Sequence, residues 1–476
     1  MSARSVHRAL SMSVISCIAV VLWIAGLYCP TAFGSEKVVP EIRHMKSGHD
    51  RKAQPPRSGD EQLNSDFVVI KYDNAGKRQW LKRYDGPGRG DDWITASAVD
   101  GKGNIYVTGA SWGGENIGYE YATIKYDGTG KRLWVRRHAG GIPNAIGLDE
   151  KRNVYVGGER GVVKYNSAGK LQWSIPCEAQ MMTVHKNGAV SIAYGEYDEE
   201  NYTEFSILRH YDNEGVYQWE IKWGDECLFG TSPTAIASDS EGNIYIAEYT
   251  YDDCDWYWGF AFVTKYASEN KKMKWSASCG SWISDIEIDK DFNVYITGQE
   301  IYTMDDESIV QSEDFSTYGT WKLDKNGNRL WERYSKIKDI GLWDIATDIS
   351  IDNSGNVLVS GINQGYNEKY NYKTIKYNSN GDWQWSRTYE TIGESYVDAM
   401  ELDQKGNVFI AGTTAGGELV GDRFLTVNYD IDGNEQWVDI YKDTKTKRTD
   451  VAKDLKMDNR GNVFVSGYSI VRHKRK

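Results

Sequence analysis

The sequence predicts an all-β fold, an eight-bladed β-propeller with four antiparallel strands in each blade. Three observations predict it. A segment of the form IKYDxxGKxxW recurs eight times, a segment of the form DxxGNxYVxG alternates with it, and the chain starts and ends on complementary halves of this repeat. The composition, with 48 Gly, 32 Tyr and 18 Trp in 476 residues, suits short strands joined by tight turns.

The first segment ends on tryptophan in every copy. Its copies occupy 70–80, 124–134, 163–173, 209–219, 264–275, 321–331, 375–385 and 427–437. The tryptophans are Trp80, Trp134, Trp173, Trp219, Trp275, Trp331, Trp385 and Trp437. A bulky ring at one fixed position of a strand is typical of a core, and we expect each indole to wedge against the next blade.

The second segment is also a hairpin signature, because two apolar runs flank a turn of Asp, Asn and Gly. Its copies are 100–109, 149–158, 239–248, 289–298, 352–361, 403–412, 458–467 and a degenerate one at 185–194. Two hairpins per repeat give four strands, named A to D in the order of ITASAVD, NIYVTG, ATIKYD and RLWVRRH. One such sheet cannot bury both of its faces, whereas a ring of eight sheets can.

Ring closure follows from the two ends of the repeat region. The repeats begin with a C–D hairpin at 66–84 and end with an A–B hairpin at 449–468, so we predict that these hairpins share one blade. The A–B and C–D turns then lie on one side, the turn face. The B–C loops and D–A connections lie on the other side, the loop face.

The repeat resembles the bacterial SBBP-type β-propeller repeat family across residues 66–468. Its DxxGKxxW half is similar to the tryptophan-docking repeats of pyrroloquinoline-quinone enzymes and their non-catalytic relatives. The resemblance implies a scaffold and is nearly silent on function. The quinone enzymes carry an adjacent Cys-Cys pair that touches the cofactor; this sequence has none. We therefore predict no cofactor.

The N-terminus predicts export. Residues 1–34 combine a basic start, an apolar run and small residues before Ser35, as in a secretory signal peptide. We assign 35–64 to a flexible polar tether, 65–470 to the propeller and 471–476 to a basic tail. The expected compartment is periplasmic, extracellular or the cell surface. An uncleaved N-terminal segment is the alternative, and the only membrane contact that we expect.

The predicted binding surface is the loop face, whose connections are long, acidic and aromatic. Exposed aromatic rings beside carboxylates suit stacking on sugars or a protein hot spot, although they could instead pack the loops together. The candidates are Trp112, Trp256, Tyr257, Trp258, Tyr302, Tyr366 and Tyr370 in the B–C loops, with Trp93, Trp282 and Trp343 in the D–A connections.

Two further sets of side chains on this face are candidates for ions and disulfides. Calcium could bind Asp252, Asp253 and Asp255, or Asp305, Asp306 and Glu307, although neither run has EF-hand spacing. Four of the six cysteines follow the signal segment. The preferred pairs are Cys177–Cys227 and Cys254–Cys279; the alternative joins Cys227 to Cys254. The three histidines of the ring, His138 in a D–A connection, His185 in an A–B turn and His210 in strand C, are not expected to converge.

These observations favour a monomeric, non-catalytic propeller that binds a protein or a glycan through its loop face. The alternatives are an enzyme acting at the channel mouth, on a polysaccharide or with a quinone, and a structural module for envelope assembly. The net charge of −12 argues against a nucleic-acid partner, because phosphates need cationic neutralisation.

Overall fold

A computed structural model describes residues 63–198, 203–224, 229–252, 259–304, 313–335, 343–365, 369–391, 393–416, 421–442 and 449–472. They form 32 strands arranged in eight four-stranded antiparallel sheets. The fold prediction is confirmed. All the internal gaps between these ranges fall in B–C loops or D–A connections, so every A–B and C–D turn is described.

The strands of the first half are β1 (Leu63–Tyr72), β2 (Arg78–Tyr84), β3 (Asp92–Val99), β4 (Ile105–Trp112), β5 (Tyr119–Tyr126), β6 (Arg132–Ala139), β7 (Pro143–Leu148), β8 (Val154–Gly158), β9 (Gly161–Tyr165), β10 (Leu171–Ile175), β11 (Met181–Val184), β12 (Val190–Asp198), β13 (Thr203–Tyr211), β14 (Tyr217–Trp223), β15 (Phe229–Ser238) and β16 (Ile244–Asp252).

The strands of the second half are β17 (Gly259–Tyr266), β18 (Met273–Ser278), β19 (Trp282–Ile288), β20 (Val294–Met304), β21 (Glu313–Leu323), β22 (Arg329–Tyr334), β23 (Asp344–Ile351), β24 (Val357–Gln364), β25 (Tyr370–Tyr377), β26 (Trp383–Tyr389), β27 (Ser395–Leu402), β28 (Val408–Thr414), β29 (Arg423–Tyr429), β30 (Glu435–Tyr441), β31 (Asp450–Met457) and β32 (Val463–Arg472).

Blades I to VII take four consecutive strands each, from β3–β6 to β27–β30, and blade VIII closes the ring. Its strand order is β2-β1-β32-β31, so both ends of the repeat region contribute two strands. The β1–β32 ladder runs without a break from Leu63↔Arg472 to Tyr72↔Val463. The predicted shared blade is therefore present.

Strand A of each blade lies innermost and contacts strand A of both neighbours, with β31 and β3 completing the circle. Strands B and C carry the most deeply buried side chains, and strand D forms the outer edge. Apolar clusters join neighbouring blades. In one of them Val68 and Tyr72 of blade VIII pack with Phe409 and Phe424 of blade VII. The core thus consists of layers between blades.

The repeated tryptophans lie between blades. Each indole N–H donates to a backbone carbonyl in the C–D turn of the following blade, at 2.6–3.4 Å. The last of these bonds, from Trp437 to Asn74 at 3.2 Å, joins blade VII to blade VIII. The indole also covers the turn glycine. A Cβ on Gly76 would lie 2.5 Å from Cδ2 of Trp437, and Gly76 has a φ of +77°, so this position requires glycine.

Candidate functional site

Blade I holds a compact aromatic cluster on the loop face. The ring centroids of Trp93 and Trp112 lie 4.8 and 5.0 Å from that of Tyr119, both in edge-on geometry. Trp93 belongs to β3 and Trp112 ends β4, so their predicted positions in a connection and a loop are wrong. Both indoles are half-buried, and Gly90 of the preceding connection lies directly against Trp112. These rings pack a connection onto its blade.

Other predicted aromatics form pairs that bridge neighbouring blades. Trp282, which lies in β19 instead of the predicted connection, is 5.3 Å from Tyr249 of blade IV. Tyr370 of blade VI is 6.2 Å from Tyr396 of blade VII. Trp343 precedes β23, and its backbone N–H donates to the Gln364 side chain at 3.1 Å. The described candidates are therefore spread around the ring and do not converge on one site.

The remaining predictions fall outside the described residues. Trp256, Tyr257, Trp258, Tyr366, Asp253, Asp255, Asp305, Asp306, Glu307, Cys227 and Cys254 lie there, as do the side chains of Asp252 and Tyr302. Cys177 is half-buried and Cys279 is fully buried, and neither forms a disulfide within the described part of the chain. Burial raises the pKa of both thiols. The disulfides and the calcium site stay predictions.

Three neighbouring B–C hairpins extend furthest beyond the ring on the loop face. In blade V, β20 and β21 remain paired out to Met304↔Glu313; in blade III, β12 and β13 pair out to Asp198↔Thr203. Blade IV continues to Tyr251↔Gly259. By contrast, the hairpin of blade II ends at Gly158↔Gly161. The loop face is therefore raised on the side of blades III to V.

Large apolar side chains are exposed on these three hairpins. Tyr197 is 58% exposed, Phe260 is 55% exposed and Ile301 is 39% exposed. Tyr197 and Ile301 occupy the same repeat position, twelve residues after the first residue of the A–B turn. Glu196 lies beside Tyr197 and pairs with Lys222 at 3.2 Å. We call Tyr197, Phe260 and Ile301 the hairpin patch.

The central channel is a second candidate, which the sequence analysis did not identify. Between strands β19, β23, β27 and β31 it contains a cavity of about 420 Å³, with Asp285, Glu287, Asp348, Glu401 and Lys456 in its wall. The four blades on the opposite side have Ala96, Ala145, Met181 and Ala235 where blades V, VI and VIII have Asp285, Asp348 and Asp454. One half of the channel is therefore acidic and the other half is neutral.

The channel aspartates also join blades. Asp285 accepts the backbone N–H of Ile349 in blade VI at 3.2 Å, and Asp348 accepts that of Met400 in blade VII at 2.8 Å. The aspartate of blade VIII makes the same contact to blade I, at 2.6 Å from the N–H of Ser97. These carboxylates fasten each strand A to the next one, which gives them a structural role.

The electrostatics of the channel favour bound protons. Burial, and then the proximity of Asp285, raise the pKa of Asp348 well above its usual range. The same two causes raise the pKa of Glu287 to about 8. Lys456 offsets part of the negative charge, with its Nζ 2.8 Å from Glu401 Oε1. A cation is the chemically complementary occupant of this half of the channel.

Strands A of blades V to VIII carried the signal for this cluster, in DIEID, DISID, DAMELD and DLKMD. Alternation places every second residue on the channel side. The sequence analysis interpreted these strands only as halves of hairpins and did not compare strand A between blades. A comparison of that kind would have separated the four acidic blades from the four neutral ones.

One group of three carboxylates in the described residues is close enough to hold a metal ion. Oxygens of Asp66, Asp85 and Asp92 lie within 4.8 Å of one another, between blades VIII and I on the loop face. Asp92 is fully buried and already accepts backbone N–H groups from Gly86 at 2.5 Å and Trp112 at 3.2 Å. The group differs from both acidic runs predicted for calcium.

The histidine prediction is wrong in two respects. His138 lies in strand β6, not in a connection. His185 and His210 converge, since each ring bonds the same hydroxyl of Ser191, at 2.8 and 2.9 Å. The antiparallel ladder opposes Ser191 to His210, and the A–B turn folds His185 back onto both. A repeat alignment reveals this cluster only when the pairing of strands B and C is added.

Comparisons with known proteins agree with the fold. A family model described as outer membrane protein assembly factor BamB matches residues 122–250, from blade I into blade IV. This match supports a propeller repeat family, and the SBBP-type resemblance stays a prediction. No curated protein sequence matches the chain significantly. No helix in the described ranges has the length and apolar character needed to cross a membrane.

Solved structures that resemble this chain are also propellers or WD40 domains. Sqt1 from Chaetomium thermophilum has a TM-score of 0.53 at 10% identity, over 80% of this chain and 97% of that chain. The Dos1 propeller has a TM-score of 0.48 at 10% identity, over 79% and 92%. The Pan2 WD40 domain of Neurospora crassa has a TM-score of 0.42 at 13% identity, over 81% and 97%. At these identities the likeness concerns the fold alone.

Proposed function

We propose that this chain is an exported, non-catalytic propeller that binds a protein partner through blades III to V of its loop face. The hairpin patch is the observation that carries the proposal. Its three side chains extend from neighbouring blades on paired strands, so the ring holds them in place before a partner arrives. Binding then costs little conformational entropy.

The chemistry of the patch favours a protein over a glycan. Exposed aromatic and aliphatic side chains are the groups that protein hot spots bury. Stacking on a sugar instead requires an open indole or phenol face. The described loop-face indoles Trp93, Trp112 and Trp282 are half-buried and each lies against another aromatic ring. Trp256 and Trp258, outside the described residues, carry the glycan alternative.

Two further observations support the compartment and the class of partner. The signal-like residues 1–34 support export. The matching family model is described as an outer membrane protein assembly factor, and a factor of that kind must contact other proteins. Because that match covers about a quarter of the chain, the analogy is carried into this proposal only as support.

The test compares two triple variants of equal chemistry on opposite faces. Tyr197→Ser, Phe260→Ser and Ile301→Ser remove the hairpin patch. Leu133→Ser, Leu171→Ser and Leu330→Ser remove side chains that are 46%, 48% and 53% exposed beside the C–D turns. Both variants should fold, because exposed side chains contribute little to stability.

The measurement is crosslinking in the native host followed by purification and mass spectrometry, with affinities of the purified pair determined afterwards. We expect one partner to be recovered with the wild type and the turn-face variant, and lost with the hairpin-patch variant. Equal recovery with all three proteins would contradict the proposal. Glycan binding that survives the hairpin-patch variant and disappears in Trp256→Ala/Trp258→Ala would replace the protein partner with a sugar.

A further inference from the structure

Most repeats fasten a blade to the next one with a lysine. In blade I the A–B turn residue Asp100 accepts the hydroxyl of Tyr106 at 3.0 Å, and Lys125 lies 4.6 Å from the centre of the Tyr106 ring. The Lys125 Nζ then donates to the Ser167 carbonyl in blade II at 3.1 Å. Equivalent bonds of 2.6–3.2 Å leave four other blades, from Lys71, Lys164, Lys322 and Lys376.

Blade III replaces all three members of this arrangement. His185 stands at the position of the aspartate, Ser191 at that of the tyrosine and His210 at that of the lysine. The three side chains are buried and form one chain of hydrogen bonds through the Ser191 Oγ. The two imidazoles are perpendicular with centroids 5.3 Å apart, and His210 stacks on Trp219 at 5.1 Å.

This chain of hydrogen bonds accommodates only one proton on the two nitrogens that face the hydroxyl. One imidazole N–H donates to Ser191 Oγ, whose own O–H donates to the bare nitrogen of the other ring. A second proton would leave the hydroxyl hydrogen without an acceptor. It would also place a cation in a buried site beside a second imidazole.

The charged groups around the cluster do not offset such a cation. Asp212, in the C–D turn of the same blade, and Asp239, in the A–B turn of blade IV, favour protonation, but burial outweighs them. Asp239 is itself paired with Lys265 at 3.3 Å. Burial and the proximity of His210 lower the pKa of His185 to about 4, and burial lowers that of His210.

The seam between blades III and IV departs from the repeat on its other side as well. The C–D turn of blade IV is one residue longer than the usual turn, with its closing bond from Ala267 to Lys272. It has no glycine beneath Trp219, and Lys271 adopts a left-handed φ of 51°. The Trp219 indole still donates to the Ser268 carbonyl at 2.6 Å. This seam therefore keeps the tryptophan bond and lacks the lysine bond.

We propose that the seam between blades III and IV is an acid-sensitive joint of the ring, which loosens when the His185–Ser191–His210 cluster takes up a proton. The hairpin β12–β13, which carries Tyr197 on the loop face, contains Ser191 and His210. Acid would therefore also loosen one third of the hairpin patch. This second consequence rests on the proposed function, whereas the joint itself does not.

Glu248 acts on the same seam in the opposite direction. Its carboxylate accepts the indole N–H of Trp223 in blade III, and burial raises its pKa to about 7. It takes up a proton in the closed state as the pH falls, while the two histidines take up protons in the open state. Closed-state proton uptake by one group against open-state uptake by two leaves a net uptake of about one proton on opening.

The test is hydrogen–deuterium exchange of the full chain between pH 7 and pH 4.5, corrected for intrinsic exchange rates. We expect protection in β13 and β14 to fall relative to that in β25 and β26, by up to about tenfold per pH unit. Blade VI serves as the internal control, because it retains Lys376 and its bond to blade VII. Equal pH dependence in the two blades would overturn the proposal.

Two variants separate the parts of the proposal. His185→Asp/Ser191→Tyr/His210→Lys restores the common arrangement and should abolish the pH dependence of β13 and β14. Should that variant not fold, Glu248→Gln in its place should steepen the dependence, because it removes the opposing group; no steepening would count against the joint. Partner affinity that stays constant while the seam opens would remove the link to the hairpin patch and leave the joint intact.

Discussion

Gly76→Ala should weaken the closure of the ring. The new Cβ would lie 2.5 Å from Cδ2 of Trp437, about 1 Å closer than a van der Waals contact allows, so the indole must shift. The shift costs about 1 kcal/mol for the bond from Trp437 to the Asn74 carbonyl and about 1 kcal/mol for packing on Tyr72 and Phe409. The left-handed backbone adds about 1 kcal/mol for alanine.

The expected loss is therefore about 3 kcal/mol in the free energy of unfolding, measured by urea denaturation with tryptophan fluorescence and circular dichroism. Gly101→Ala is the control, because Gly101 has no left-handed φ and its nearest neighbour would lie 3.8 Å from the added Cβ. In a Trp437→Leu background the cost of Gly76→Ala should fall to about 1 kcal/mol, the backbone part. Equal costs for the two glycines, or an unchanged cost without the indole, would refute this reasoning.

Three other predictions concern buried acids and cysteines. Glu248→Gln keeps an acceptor for Trp223 and does not titrate; since the pKa of Glu248 is raised to about 7, the wild type loses stability as pH rises from about 4.5, and the variant should be more stable at pH 8 by about 3 kcal/mol. Asp348→Asn keeps an acceptor for Met400 and should raise the melting temperature at pH 8 but not at pH 4, because the raised pKa of Asp348 makes its ionisation costly in the folded state. Either pH profile would be contradicted by a variant that tracks the wild type throughout. Peptide mapping without reduction should find two disulfides among the four cysteines after residue 34, and four free thiols in the exported protein would exclude them.

The architecture was predictable from the sequence because it depends on a repeated pattern. Eight copies ending in tryptophan, with half a blade at each end, determine the number of blades and the closure by β1 and β32. The boundary between a D–A connection and strand A was less accessible. Trp93 and Trp282 carry no local signal that distinguishes the last connection residue from the first strand residue. That difference is set by pairing with strand B.

The contacts between blades were not predictable from a single repeat. Asp285 and Asp348 look like ordinary polar residues of a strand, and their bonds to the next blade follow from the circular arrangement. His185 and His210 are 25 residues apart and were considered one at a time. Their contact follows from the register that opposes Ser191 to His210. Register and ring geometry, not residue type, decide these sites.

The shared blade has a consequence for how the chain is made. Strand β1 pairs on one side with β2, which follows it at once, and on the other side with β32, which is synthesised after all of blades I to VII. Throughout that interval β1 has an unpaired edge, and exposed edges of this kind recruit strands from other molecules. A chaperone that covers residues 63–72 during translation or export should therefore raise the yield of folded rings more than one acting on any internal hairpin.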